Sequence, residues 1–94
     1  MQMTDPLLVP TKLLDFDAAP LAHLIENRSW RGLSEYDRIG AAYDFVRNEI
    51  AFGYNRADDI PASEVLSDGY GQCNTKGTLL MALLRGVGIR CRLH

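Results

Sequence analysis

Apolar residues along this chain change their spacing from one stretch to the next. Residues 1–19 carry Leu7-Leu8 and Leu13-Leu14 between Pro6, Pro10 and Asp17 without any period, and read as an extended strap. Pro20 suits the first turn of a helix, where its missing N–H costs nothing, and Leu21, Leu24 and Ile25 give that helix an apolar stripe ending before Ser29. Trp30 and Gly32 mark a turn. Ser34 is a good N-cap for a second helix, with Asp37 three residues on as in a capping box. Ile39, Ala42, Tyr43, Val46 and Ile50 share one face, while Asp37, Arg38, Asp44, Arg47 and Glu49 lie mainly on the other. Gly53 closes the element and leaves Ala51 to Tyr54 as a short extended piece.

Residues 55–72 are mostly connection, in which Pro61 opens a short helical turn through Leu66 and Gly69 and Gly71 punctuate the approach to Cys73. A third helix is predicted from about Cys73 to Val87. Its middle, LLMALL, is apolar all round, as in a helix buried on several sides. Gly88 is placed as its C′ residue, since glycine accepts the left-handed conformation. Beyond it Ile89, Cys91 and Leu93 alternate with Arg90, Arg92 and His94, the signature of a half-buried β-strand.

The chain has 94 residues, enough for one small domain. Its 10 Lys and Arg against 12 Asp and Glu leave a net charge of −2, which argues against a nucleic-acid partner. No apolar run approaches the roughly 18 residues of a membrane span. The N-terminal stretch lacks the basic region of a secretory signal, and the two cysteines make no disulfide framework, so the expectation is a reduced, cytoplasmic chain.

Cys73 is the most informative position. In the first turn of a buried helix, unpaired N–H groups and the macrodipole favour an anion, so a thiolate is stabilised there. The thiolate is the competent nucleophile, and the same N–H groups suit the oxyanion formed when it attacks a carbonyl. The plain alternative is a small buried hydrophobe, because free cysteine is often fully buried.

Residues 59–92, DIPASEVLSDGYGQCNTKGTLLMALLRGVGIRCR, resemble the nucleophile segment of the transglutaminase-like superfamily. The matching pieces are Tyr70-Gly71-Gln72-Cys73, the small Gly77 one turn on, and LLMALLRGVGI leading to Arg92. Residues 34–54 resemble the helix and short strand that precede that segment. The resemblance implies an α+β, papain-like core, predominantly helical over this stretch, with Cys73 as nucleophile and no cofactor. It also implies a protein or peptide substrate whose glutamine or peptide carbonyl forms a thioester. The family's catalytic His and Asp lie on strands beyond the one beginning at Ile89. His94 follows the helix directly and is not their counterpart, so the chain reads as a single incomplete domain: strap 1–19, helices 20–54, nucleophile segment 59–94. On this reading it is a thiol enzyme core inactive alone. The competing reading is a non-catalytic protein-interaction module on the same half-core.

Gln72, directly before the nucleophile, is a candidate for positioning the oxyanion or the loop. Tyr70, Tyr54 and Trp30 are candidates for a substrate cleft, with core or rim packing as the alternative. Gly77 inside a helix suggests a close neighbour on the Cys73 face, with simple tolerance of the glycine as the alternative. Other motifs fail: Gly69-Tyr70-Gly71 lacks the last glycine of a dinucleotide loop, and no strand is predicted before it. Asp58, Asp59 and Asp68 match no metal-ligand spacing, and Cys73 and Cys91 are too far apart for a redox pair. His23 reads as a surface residue. Without the family's sheet, Leu79, Leu80, Leu83 and Leu84 would be exposed beside an unpaired edge at 89–94, and a homo-oligomer is expected through them.

Overall fold

A computed structural model describes residues 11–89. Helix α1 (Ala19–Asn27) begins on extended Ala18 with Pro20 in its first turn, and buries Leu21 and Ile25. A single 3₁₀ turn, Trp30–Gly32, leads to α2 (Glu35–Glu49), whose N-cap Ser34 accepts a 3.2 Å bond from the Asp37 N–H. Strand β1 (Ala51–Phe52) follows, then α3 (Ala62–Asp68), β2 (Tyr70–Gly71) and α4 (Cys73–Gly86). The protein is thus mainly helical, with a small parallel sheet in which Ala51 pairs with Tyr70 and Phe52 with Gly71. A parallel pair needs a long crossover, and residues 53–69, including α3, supply it. This β2 strand is hidden in the sequence because Gly69 precedes it and Gly71 is one of its two residues, and α3 runs two residues past Leu66 before Gly69 ends it at φ +76°.

α4 is the centre of the core and packs on α1, α2 and α3. Leu79, Ala82 and Leu83 are fully buried, with Leu14, Ile60 and Val65 among their fellow core residues. The expected apolar face at Leu79 and Leu83 is therefore covered by the chain's own helices, and Leu80 and Leu84 are half-buried. The strap helps to close it. Leu14 is buried, the Ala62 N–H donates to the Leu13 carbonyl at 2.8 Å, and the Asp15 carboxylate accepts from both the Ser63 N–H and its hydroxyl. Residues 1–10 of the strap and the predicted strand beyond Ile89 lie outside the described residues.

The buried stripe of α2 is rotated from the expected one. Ala42, Phe45, Val46 and the following Ile50 are buried, whereas Ile39 and Tyr43 are 41% and 54% exposed. Phe45 draws the helix round: its ring meets Trp30 edge to face at 5.9 Å and lies beneath the Arg28 guanidinium. Arg28 in turn forms a forked pair with Glu49, which holds that carboxyl below its usual range.

The C-terminal end of α4 closes in a Schellman motif. Gly88, at φ +88°, donates to the Arg85 carbonyl and Ile89 to the Leu84 carbonyl. Two cations reinforce it: Arg31 donates to the Gly86 carbonyl and Arg38 to that of Val87. Close packing here requires Gly86, where a Cβ would lie 2.6 Å from the buried Ile25 Cδ1.

Truncating Leu83 to alanine should cost about 2–5 kcal/mol, a large share of the roughly 5–15 kcal/mol that holds a small domain folded. The denaturation midpoint checks this. An unchanged midpoint would mean α4 is not enclosed as described.

Candidate active site

The N-terminal end of α4 is built by a side-chain network around Asn55. Gln72 is the N-cap, in extended conformation, and its N–H donates to the Thr75 hydroxyl at 3.0 Å. Thr75 is fully buried, and its hydroxyl donates to the Asn55 Oδ1 at 2.6 Å. The Asn55 Nδ2 donates to the Asp68 carboxylate at 2.9 Å and to the Tyr70 carbonyl at 3.0 Å. Its backbone N–H donates to the Gln72 Oε1 at 3.0 Å, and the Gln72 Nε2 donates to Asp58. Gly71 lies inside this knot: a Cβ there would sit 2.7 Å from the Thr75 hydroxyl and 3.0 Å from the Lys76 Cγ.

Cys73 occupies the first helical position beyond the knot and is exposed, so the small-buried-hydrophobe alternative does not hold. Continuing α4 backwards would require the carbonyls of residues 69–71 to accept its first N–H groups. Those carbonyls point elsewhere. Gly69 accepts from the Ala51 N–H, Tyr70 from Asn55, and Gly71 from the Gly53 N–H. The helix therefore starts at Cys73 because β1 and Asn55 hold the preceding carbonyls.

The other candidates are placed unequally. Gln72 has its amide oxygen on Asn55 and its amide nitrogen on Asp58, so it braces the loop from within. Tyr70 packs on Gly53, whose Cβ would meet its ring at 2.9 Å, and it retains 38% exposure. Tyr54 is exposed and meets Phe52 edge to face at 5.4 Å. Phe52, 67% exposed, belongs to the same patch, though nothing in its sequence position marks it. Trp30 is not with them. It is 5% exposed and sits beside Arg31, which binds the far end of α4, about 20 Å along the helix axis from Cys73. Its role is to pack Phe45. His23 is exposed on α1, the helix whose Ile25 abuts Gly86 at that same far end. Gly77 has open space, since a Cβ there meets nothing within 4 Å; the expected close neighbour is not among the described residues.

Asn55 and Thr75 carry the geometry yet leave little trace in the hydrophobic pattern. The available signal was Thr75 three residues after the N-cap, in the position of a capping partner. Among the described residues, no cluster of His, Cys, Asp and Glu has the makings of a metal site, and no helix is long and apolar enough to cross a membrane.

The sequence profile of the Transglutaminase-like superfamily matches residues 25–94, most of the chain. The chain belongs to that superfamily. The match begins in α1 and takes in the Asn55 knot, Cys73 and all of α4, the helical part of a transglutaminase-like, papain-like core. No curated protein and no solved structure matches the chain.

Two glycines of this transglutaminase-like segment should respond oppositely to alanine. Gly71→Ala forces Thr75 and Lys76 apart and should lower stability by about 1–3 kcal/mol. Gly77→Ala adds a methyl into open space within a helix and should raise it by about 0.5–1 kcal/mol. Urea denaturation of both variants gives the order directly.

Proposed function

We propose that Cys73 is the nucleophile of a thiol acyl-transfer enzyme. The observation that carries this reading is the exposed sulfur at the first position of α4, inside the superfamily match, where the preceding carbonyls are held away from the helix. The thiolate attacks the carbonyl carbon of a glutamine side chain or peptide bond. The S–C bond forms and the carbonyl electrons move to oxygen, where the first-turn N–H groups of α4 stabilise the oxyanion. Collapse breaks the C–N bond and the leaving nitrogen takes a proton, giving a thioester that an amine or water then opens.

In this reading Gln72 positions the loop from its bracing bonds, and Tyr70 and Tyr54 form the rim over which substrate passes. Trp30 has no part in it. Proton delivery to the leaving nitrogen requires a general acid, and a histidine is the usual one. His23, the one described histidine, lies on the helix that meets the opposite end of α4. The described residues thus supply the nucleophile arm without the acid, and the 94-residue chain by itself is proposed to react at sulfur without turnover.

A neutral electrophile such as iodoacetamide should modify Cys73 at least about tenfold faster in the folded chain than in the same chain unfolded in urea, with Cys91 showing no such gain. Peptide mapping by mass spectrometry separates the two. Equal, slow labelling of both would favour a non-catalytic interaction module. Sustained release of ammonia or amine from a glutamine peptide by the 94-residue chain would overturn its proposed inactivity.

A further inference from the structure

The Asn55 side chain stands where only an amide satisfies every neighbour. On one side it faces two pure acceptors, the Asp68 carboxylate and the Tyr70 carbonyl. On the other it faces the Thr75 hydroxyl, whose oxygen already accepts from the Gln72 N–H and whose proton is directed at Asn55. An aspartate would set carboxylate oxygen against two acceptors, and an aliphatic residue would take the Asn55 donor from both Asp68 and Tyr70, leaving the Thr75 hydroxyl to its longer contacts with the Gln72 carbonyl and Oε1 at 3.2 and 3.4 Å.

The bond to Tyr70 has a particular consequence. In a helix each N–H pairs with the carbonyl four residues back, so the natural partner of the Asn74 N–H is the Tyr70 carbonyl. Backbone amides of β1 and its exit hold the Gly69 and Gly71 carbonyls, but a side chain alone holds that of Tyr70. Asn55 thereby keeps the Asn74 N–H available beside the sulfur.

We infer that Asn55 is a positioning residue for Cys73, keeping α4 from extending backwards and so preserving the N–H donors that the thiolate and the oxyanion use. This rests on the reading of Cys73 as the reactive thiol. Removal of the side chain frees the Tyr70 carbonyl to capture the Asn74 N–H, and reactivity falls although the sulfur itself is untouched.

The test compares Asn55→Asp with the double variant Asn55→Asp/Asp68→Asn in the 94-residue chain. The single variant places two carboxylates together and should melt at lower temperature. The double variant restores a bond between positions 55 and 68 but leaves the Tyr70 carbonyl without its donor. The expected result is recovery of the melting temperature with iodoacetamide modification of Cys73 still about fivefold slower than wild type. A loss that was merely structural would recover together with the fold, so full recovery of the rate overturns the role of Asn55 while leaving the thiol reading intact. A wild-type rate no higher than in urea fails the thiol reading itself, and this inference with it. Should the double variant not fold, amide hydrogen exchange in the wild type decides. Cys73 and Asn74 amides exchanging near the unstructured rate support the inference, and protection of Asn74 beyond about tenfold overturns it.

Discussion

The enclosure of α4 by three other helices is the constraint on which the rest of the structure depends. A fully buried leucine contributes about 1.5–3 kcal/mol, and α4 brings two, Leu79 and Leu83, to the same point in the core. With that stretch fixed, the helix cannot slide or rotate without opening its contacts to α1, α2 and α3. Its first residue is then delivered to the surface at one defined place. The apolar middle of α4 and the exposed thiol at its head are therefore a single arrangement, in which burial supplies the rigidity and the helix end presents the sulfur.

Much of this was legible in the sequence because it depends on short-range rules. Pro20, Ser34, Pro61 and Gly88 each sit where their backbone preferences put them, and the starts and stops of the helices follow. Cys73 at the head of an apolar helix was legible for the same reason. What escaped depends on the third dimension. Ile39 and Tyr43 share a helical face with Val46, yet the buried arc turned towards Phe45 because Trp30 and Arg28 wait there, contributed by earlier segments. Trp30 suits a core better than a cleft by its residue type, and its burial against Phe45, with Arg31 at the far end of α4, settles it as core.

Within the candidate site the same division appears. Gln72 was visible as a neighbour of Cys73, but its partners, Asn55 and Asp58, are far enough away in sequence that no local rule connects them. Asn55 lies in a stretch that reads only as connection. Its importance arises from the parallel pairing of β1 with β2, which is too short to register as alternation and which brings residues 53–55 against 70–72. Two-residue strands are weak evidence in a sequence and strong constraints in a fold.

The two termini of α4 answer to different parts of the chain. Its head is tied by residues 51–58 and 68–72, its tail by Arg31 and Arg38. Substitutions that accumulate in the first forty positions can thus retune the seating of the tail while the electrostatic surroundings of the sulfur stay as they are. The architecture separates the evolution of its scaffold from that of the exposed thiol.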